Sequence, residues 1–561
     1  MKNRLAKLDH SPVITLGLLA LFTSTAYSQG NYLEVWAQQF GTSGGDHVRD
    51  VAAGPSGVFV GGDHSVGIMG GMFPQPDGFV SHFDGDGVRL WDRRLSTPES
   101  DEIRSVASDG QGGVIVGGRT RGSLGGTAQG EADAFVARYD ALGNQVWILQ
   151  FGSPEWDTVR AVVGDGIGGA FATGTTQVDG IDSTFVTRIS PMGTQVWTRE
   201  FRGLGFDEPT SLALDGAGGL YLTGRSSASF WGPNLGGLDC YLARMDGAGS
   251  LLWSKQFGSS DSDSAFAIAV VGPNELYVGG STRGDLFGPS PLRFQDVAFV
   301  ARFDGNGALV WGSRVGSPMM NRVSDIKSLV AAAGGGVVAL GSEGPIPGGA
   351  SVGSFDVYRT RLDDQGLQGD IRSYNTADVD LAAGLALGPD GQLYLAGTTA
   401  GELLGLNAGQ VDSFLIRLEP QVGTAYCGTG VPNSTGMPAR ILATGSDLAS
   451  DNALRLQVLG MPPGRIGLFR ASMDQAFVPG AGGSQGNLCL GGSIGNYAAA
   501  GQVQQSDASG RMQLAVDLTQ TPTSMGTVAV LSGQTWNFQA WYRDANPAET
   551  SNYTDGVTLG F

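Results

Sequence analysis

The feature that most constrains this fold is a sequence repeat whose last copy is incomplete. At seven places an Asp precedes a short aromatic-led run such as residues 133–138. The seven are Asp77, Asp133, Asp182, Asp239, Asp296, Asp356 and Asp412. A Trp follows in the first five copies, and these are Trp91, Trp147, Trp197, Trp253 and Trp311. The seventh copy reaches Glu419 without that segment, and a matching segment that contains Trp36 stands near the N-terminus.

Each copy has the pattern of four short strands joined by Gly-rich turns. In the third copy the predicted strands are residues 159–162, 169–174, 185–188 and 194–197. The copies lie about 50 to 60 residues apart, a scale typical of propellers and arrays. The strand count is complete only when residues 32–41 supply the fourth strand of the seventh sheet, which also removes an open edge. The sequence therefore predicts an all-β fold, with a seven-bladed β-propeller over residues 29–420 that the N-terminal strand closes.

The repeat also resembles a known group of proteins. Residues 135–147, the Phe-Gly-Ser that follows them and the Asp157-x-Val-Arg motif resemble the bacterial seven-bladed β-propeller repeat family. This resemblance covers residues 31–420 and is specific to the fold rather than to a function. It implies an exported or surface protein and names no ligand.

A second domain is predicted after the repeats. We expect a linker at residues 421–425 and a β-sandwich-like domain over residues 426–561, because short strand-like runs alternate there with turns. Its phrases around Cys427 and Cys489 resemble a C-terminal module that recurs in secreted proteins of environmental bacteria. Clustering of these two cysteines in an exported chain predicts a disulfide. Cys240 takes a slot that Gly78 and Ala134 fill in sister repeats, so we expect a free, buried thiol.

The N-terminus and the charge balance suggest where the protein works. Residues 1–28 have a basic start, an apolar core and a small-x-small cleavage site, as in a secretory signal peptide. The formal net charge is −19, from 34 basic and 53 acidic residues. Nucleic acids and anionic membranes attract basic surfaces, so neither is an expected partner, and no later segment has the length of a membrane span. We expect a secreted, extracellular or cell-surface protein.

One group of residues in the first repeat has the composition of a metal site. His47 and Asp46 start the first strand, and His64 and Asp63 end the second, so the four side chains could converge on a divalent cation. No other cofactor is expected. A purely structural explanation competes with this one, because an Asp begins the first strand of nearly every repeat and can cap the preceding loop.

Function is expected to reside in the loops of a rigid scaffold. The loops between second and third strands are long in most repeats, and five aromatic residues in them are candidate contacts for a glycan or protein ligand: Phe73, Phe230, Trp231, Phe287 and Phe294. The structural alternative is that some of these rings pack between loops. No nucleophile elbow, paired-glutamate signature or phosphate loop is present. The sequence favours a non-catalytic binding or scaffold protein, and the alternative is a secreted hydrolase or lyase with an acidic site on the same face.

Overall fold

The computed structural model describes residues 32–65, 76–272, 274–289, 295–316, 322–332, 335–345, 354–428, 430–546 and 548–561. These residues are nearly all β-strand and turn. Within these ranges the helices are three short 3-10 turns, Ala449–Asp451, Ala481–Gly483 and Leu518–Gln520. No helix in the described ranges has the length and apolar character to cross a membrane.

Six antiparallel sheets of four strands follow one another along the chain, after an N-terminal strand β1 (Tyr32–Phe40). The first three are β2 (Gly45–Gly54), β3 (Gly57–Ser65), β4 (Pro76–Phe83) and β5 (Arg89–Leu95); β6 (Asp101–Ser108), β7 (Val114–Thr120), β8 (Asp133–Tyr139) and β9 (Gln145–Phe151); and β10 (Asp157–Gly164), β11 (Ala170–Val178), β12 (Ile181–Ile189) and β13 (Gln195–Phe201). The next three are β14 (Asp207–Leu214), β15 (Leu220–Ser226), β16 (Asp239–Met245) and β17 (Leu251–Phe257); β18 (Asp263–Gly272), β19 (Glu275–Thr282), β20 (Val297–Phe303) and β21 (Leu309–Arg314); and β22 (Arg322–Ala331), β23 (Val337–Pro345), β24 (Asp356–Leu362) and β25 (Arg372–Tyr374). Such sheets are consistent with propeller blades.

A seventh sheet combines the two ends of the repeat region. It contains β26 (Asp380–Leu387), β27 (Leu393–Thr399) and β28 (Asp412–Val422). The N-terminal strand β1 pairs antiparallel with β28, with Trp36 opposite Arg417 and Phe40 opposite Ser413. The segment that the last repeat lacks is therefore supplied to its sheet by the start of the described chain.

Hydrophobic cores join each sheet to the next. Side chains of the first sheet, including Phe59 and Val80, pack with Ile103 and Phe135 of the second. The same kind of core joins the seventh sheet to the first, where Tyr394 and Leu415 pack with residues of β3 and β4. Because alternate side chains of a strand point to opposite faces, each sheet has two buried faces, one for each neighbour.

A Trp contact repeats between neighbouring sheets. The indole N–H of Trp91 donates to the carbonyl oxygen of Ala141 in the turn of the next sheet, at 2.9 Å. Gly143 in that turn has φ +77°, and a Cβ there would lie 2.7 Å from the Trp91 ring. The repeated turn glycine is therefore required both by its backbone conformation and by the close approach of the indole.

The predicted linker at residues 421–425 is largely ordered as strand. Gln421 and Val422 are the last residues of β28, and the short strand β29 (Thr424–Tyr426) follows them. Gln421 and Val422 pair with Thr444 and Ala443 of β30 (Arg440–Thr444). Buried Glu419 accepts hydrogen bonds from Arg417 at 2.6 Å and from Thr444 at 2.7 Å. The repeat region and the C-terminal region are thus joined by a shared strand and a buried polar contact rather than by a flexible connection.

In the described residues, the C-terminal region forms two main sheets around one core, together with two separate two-stranded sheets. The first sheet continues from β28 and β30 through β31 (Arg455–Leu459) to a strand of residues Met512–Ala515. In chain order the remaining strands are β32 (Ile466–Ser472), β33 (Asp474–Pro479), β34 (Asn487–Gly491), β35 (Gly495–Asn496), β36 (Gln504–Gln505), β37 (Met512–Ala515), β38 (Thr521–Thr523), β39 (Gly526–Val528), β40 (Thr535–Ala545) and β41 (Glu549–Gly560). The second sheet has the order β29, β41, β40, β32 and β35, and Trp536 and Phe538 of β40 share a core with Leu456 of β31.

The cysteine predictions are confirmed. Cys427 and Cys489 form a disulfide, with their Cα atoms 6.1 Å apart. Cys240 is free and fully buried in β16. Burial and two neighbouring Asp carboxylates, Asp263 and Asp239, raise the pKa of the Cys240 thiol well above its ordinary value, so this thiol is protonated and unreactive at neutral pH.

Candidate ligand-binding cleft

The Asp that begins the first strand of a sheet has a structural role that repeats. The carboxylate of Asp101 accepts hydrogen bonds from the backbone N–H of Thr97 and from the hydroxyl of Thr120, both at 2.5 Å. Equivalent bonds to the preceding loop are made by Asp157, Asp263 and Asp380. The carboxylate row at the start of the first strands therefore caps the loops between sheets, as the structural alternative predicted.

The residues predicted to bind a metal form two separate pairs. Asp46 lies opposite His64 and His47 lies opposite Asp63 on β2 and β3, so alternation puts the two pairs on opposite faces of the sheet. The Asp46 carboxylate is hydrogen bonded to Nδ1 of His64, and Asp63 pairs with Arg49 at 2.6 Å. Among the described residues no group of three or more His, Cys, Asp or Glu side chains could hold a metal ion.

A comparison between sheets accounts for the pair in the first one. His64 stands at the end of the second strand, where Thr120 bonds Asp101 in the second sheet. Burial raises the pKa of Asp46, but hydrogen bonds from His64 and from the Thr42 backbone outweigh it and lower this pKa below its ordinary value. His64 thus replaces a structural Thr as the partner of a capping carboxylate.

The aromatic residues predicted as exposed contacts differ in their positions. Trp231 is buried, with 1% of its surface exposed, and its ring stacks on Tyr241 at a centroid distance of 4.5 Å. Phe230 is 41% exposed and packs edge-on against Trp231. Phe287 is half-buried against Phe299. Phe73 and Phe294 lie outside the described residues. Trp231 is therefore part of a core and not a surface contact, contrary to the sequence-based expectation.

A cleft of about 340 Å³ opens at the third sheet, on the side where the long loops lie. We call it the Trp156 cleft. Its walls combine two aromatic rings, two guanidinium groups, two carboxylates and uncharged polar side chains, and the residues are Arg119, Trp156, Thr158, Arg160, Thr175, Gln177, Asp182, Phe206 and Glu208. They come from the loops between sheets and from the adjoining ends of the first, second and third strands.

The cleft is accessible because the loop beside it is short. In the third sheet β11 and β12 are joined by a two-residue turn, Asp179 with φ +55° and Gly180 with φ +73°. Two residues with positive φ and a Gly in second position are typical of a tight hairpin turn. The corresponding connections in the second and fourth sheets span residues 121–132 and 227–238. The third sheet therefore leaves a gap between two longer loops, and the cleft lies in that gap.

The two aromatic walls are held by charged neighbours. Trp156 is half-buried, and its indole N–H donates to Glu131 at 2.6 Å. The guanidinium carbons of Arg121 and Arg119 lie 4.6 and 5.4 Å from the centre of its ring. Phe206 is 37% exposed, and the guanidinium of Arg225 lies 5.6 Å from its ring centre. Such cation–π contacts fix the orientation of aromatic side chains that border solvent.

A β-bulge in the first strand of each sheet directs one side chain away from the regular ladder. The pairing shifts by one residue at Arg49, Arg104, Arg160, Thr210, Phe266, Lys327 and Ala383. Bulges commonly re-aim a side chain beside a functional site. Here three consecutive sheets place an Arg at the bulge, and the third of these, Arg160, lines the cleft.

These arginines belong to three separate ion-paired groups, which are close enough to influence one another electrostatically and which together we call the charged cluster. It consists of Arg49, Asp63, Glu102, Arg104, Arg119, Arg160, Glu208 and Arg225. Glu102 pairs with both Arg104 and Arg119 at 2.5 Å. Glu208 pairs with both Arg160 and Arg225 at 2.6 Å. Each of these two carboxylates therefore forms ion pairs with two guanidinium groups.

Sequence reasoning missed the two aromatic residues that line the cleft. The aromatic candidates from the sequence lie in the loops between second and third strands, whereas Trp156 and Phe206 lie just before the first strands β10 and β14. One signal was available: the third repeat has the shortest of the loops between second and third strands, over residues 175–181. A short loop in the third repeat leaves Trp156 and Phe206 accessible, whereas a longer loop would cover them.

Comparisons with known proteins give weak likenesses. None of the known protein families matches this sequence. A segment is 28% identical over 239 residues to a regulatory protein, FlaEY, of Caulobacter vibrioides, and the match covers 35% of this chain and 24% of that protein. The chain thus spans about a quarter of the length of the curated relative that it matches.

Solved structures with similar backbones include Sqt1, an arabinofuranosidase and a polysaccharide lyase. Sqt1 of Chaetomium thermophilum is 13% identical with a TM-score of 0.36, covering 72% of this chain and 93% of its own. A GH93 α-L-arabinofuranosidase of Fusarium graminearum is 11% identical with a TM-score of 0.36, covering 56% and 92%. A PL25 ulvan lyase is 12% identical with a TM-score of 0.38, covering 68% and 96%. At these identities and TM-scores the likenesses carry no argument about function.

Proposed function

We propose that the seven sheets are the blades of a closed β-propeller of the bacterial seven-bladed repeat type, completed by β1. The pairing of β1 with β28 and the core between the seventh and first sheets support this proposal. A propeller protects its sheet edges by radial repetition, which suits strands that are otherwise short and exposed. The two C-terminal sheets then form an appended β-sandwich.

We also propose that the protein is exported and works outside the cell or on its surface. The signal-like sequence of residues 1–28 and the Cys427–Cys489 disulfide support this, because disulfides persist in oxidising compartments. Expression with its own N-terminal segment, followed by fractionation and N-terminal sequencing, tests export. Full-length protein retained in the cytoplasm with reduced Cys427 and Cys489 would contradict it.

The function that the geometry supports best is non-catalytic binding of a ligand in the Trp156 cleft. One observation carries the proposal: aromatic rings and hydrogen-bonding side chains line a 340 Å³ cleft at the sheet whose loop is shortest. Aromatic side chains that border solvent supply large contact area at low entropic cost, and polar groups around them fix the orientation of a ligand. The rigid sheets hold these groups in position before the ligand arrives.

A binding screen with a matched control tests this function. Wild-type protein is screened against glycans, peptides and divalent ions, and any ligand is then measured against Trp156→Ala and Leu204→Ala. Leu204 is 97% exposed in the loop that also carries Phe206, so its loss removes an apolar side chain outside the cleft lining. We expect Trp156→Ala to weaken binding by about 2 kcal/mol and Leu204→Ala to leave it unchanged. A ligand that binds both variants like the wild type would overturn the assignment to this cleft.

The alternative, a secreted hydrolase or lyase, rests on a different cavity. The Asp46–His64 pair lines a cleft of about 230 Å³ that also contains Phe79, Ser81 and Arg94. His64 stacks on Phe79, while the Ser81 hydroxyl donates to Asp92. Turnover of a glycan or peptide that Asp46→Asn abolishes in a folded variant would replace the binding proposal with this one.

A further inference from the structure

The charged cluster reverses the charge balance of the chain. It contains five basic and three acidic side chains, whereas the whole sequence has 34 basic and 53 acidic residues. Because Glu102 and Glu208 are each shared by two guanidinium groups, two positive charges have no carboxylate of their own. A local positive potential at the cleft of an acidic protein attracts an anionic ligand.

Two of these arginines keep unused donors. Within the described part of the chain, the buried Nε–H groups of Arg104 and Arg160 have no hydrogen-bond partner. These Nε–H groups are enclosed by protein, so a ligand in the cleft meets the remaining part of the Arg160 side chain, which is 32% exposed as a whole. Burial lowers the pKa of Arg104, and although Glu102 opposes this, the neighbouring Arg119 and Arg160 lower it further. The cluster is thus short of negative charge.

One carboxylate in the cleft has to be included in this balance. Asp182 lines the cleft and accepts a hydrogen bond from Gln177 at 3.3 Å. Burial and the nearby Glu208 raise the pKa of Asp182 above its ordinary value, although the hydrogen bond from Gln177 and the charge of Arg160 oppose this. With Asp182 counted as ionised, the charged cluster and the cleft together hold five basic and four acidic side chains, so a smaller positive excess remains.

The cleft lining also restricts the body of the ligand. It contains hydroxyl, amide, carboxyl and guanidinium groups and two aromatic rings, and no aliphatic side chain. Pockets for apolar peptide side chains are lined mainly by hydrophobic groups, so this lining suits a ligand covered with hydroxyl groups. Resting on the proposed binding function, we propose that the Trp156 cleft binds an acidic saccharide, whose carboxylate or sulfate group contacts Arg160 and Arg119.

Paired oligosaccharides test the proposal on the full chain. The probes are a galacturonic acid trimer, a sulfated galactose trimer and a neutral galactose trimer, each titrated calorimetrically at low and high salt. We expect at least one acidic probe to bind at least about tenfold more tightly than the neutral one, and added salt to weaken only acidic binding. Whichever of the two acidic probes binds identifies the anionic group.

Substitutions locate the contact. Arg160→Gln should reduce affinity for the acidic probe about tenfold or more, and Arg202→Gln should not, because Arg202 forms an exposed pair with Glu200 at 2.9 Å. If Arg160→Gln fails to fold, Arg119→Gln replaces it, because Arg119 is the other guanidinium group in the cleft lining. Equal binding of neutral and acidic trimers, unchanged acidic affinity in a folded Arg160 or Arg119 variant, or no binding of any trimer would overturn the proposal. The binding function itself fails only when the broader screen also finds no ligand that depends on Trp156.

Discussion

The indole N–H of Trp36 donates to the carbonyl oxygen of Gly85, 2.9 Å away and 49 residues further along the chain. Trp36 lies on β1 in the seventh sheet, and Gly85 lies in a turn of the first. The same bond joins Trp91 to Ala141, Trp147 to Pro191, Trp197 to Gly247 and Trp311 to Asp364. The N-terminal strand thus makes, between the last sheet and the first, the contact that other repeats make between neighbours.

Replacing Trp36 should therefore destabilise the repeat region. We expect Trp36→Ala to lower the free energy of unfolding by about 2–3 kcal/mol, somewhat less than for a fully buried Trp, because this ring is partly exposed. Glu34→Ala is the matched control, since Glu34 lies exposed on the same strand. Denaturant unfolding measures both. Equal stability of Trp36→Ala and wild type would argue against closure by β1.

The disulfide should stabilise the C-terminal sheets. Cys427 and Cys489 are 62 residues apart in sequence, and cross-linking a loop of that length is expected to contribute about 4 kcal/mol by restricting the unfolded chain. We expect the double Ser variant, or reduction, to lower the melting temperature, and Cys240→Ala to have the smaller effect of a cavity of one sulfur atom. An unchanged melting temperature on reduction, or a mapped link to Cys240, would contradict this prediction.

Asp50 should make stability depend on pH between 4 and 6. Its carboxyl accepts hydrogen bonds from the Val106 backbone and the Ser105 hydroxyl in the next sheet, both at 2.9 Å. Burial raises its pKa from 3.8 to about 6. The pKa of Asp50 is higher in the folded protein than in the unfolded chain. The contribution of Asp50 to stability is therefore complete below pH 3.8 and is lost as the pH rises to about 6.

The variant Asp50→Asn isolates that contribution. An amide oxygen can accept the same hydrogen bonds without ionising, so we expect the variant to gain stability relative to wild type as pH rises from 4 to 7. Urea unfolding at steps across this range measures the difference, with exposed Asp86→Asn as control. A difference that stays constant with pH would show that Asp50 is not neutral in the folded protein near pH 5.

Sequence reasoning predicted the strands well and the side-chain environments less well. Turn spacing and the Trp slot are local features that repeat, so the sequence alone was enough to assign the unpaired Trp36 to the seventh sheet. The Cys427–Cys489 disulfide followed from clustering in the chain. The cleft depends instead on the short loop beside Trp156, and on the β-bulges that direct the side chains of Arg104 and Arg160 away from the regular strand ladder. Single repeats do not contain that information.

The metal hypothesis shows the same limit. The predicted strand order places four residues at the adjoining ends of the first two strands: His47, His64, Asp46 and Asp63. The strand register then divides them into two pairs on opposite faces of the sheet. A shift of one residue in register moves every side chain to the other face of a sheet, and the sequence alone did not fix it here. Comparison of His64 with Thr120 was the available clue.

Trp231 gives the sharpest difference between the sequence-based expectation and the structure. The sequence-based expectation places Trp231 in an exposed loop, where its removal would not affect the fold. In the structure it is 1% exposed, stacks on Tyr241 with an interplanar angle of 6° and lies 5.1 Å from the ring centre of Phe201. Removing a buried Trp leaves a large cavity, so we expect Trp231→Ala to cost about 3–5 kcal/mol.

Phe230 is the matched control because it is adjacent in sequence and also aromatic. It is 41% exposed, and its removal loses ring contacts with Trp231 and Phe201, so Phe230→Ala should cost about 1 kcal/mol. Thermal and denaturant unfolding of both variants gives the two values. A Trp231→Ala protein as stable as wild type but unable to bind ligand would return Trp231 to the binding surface, because a core residue cannot be lost at no cost in stability.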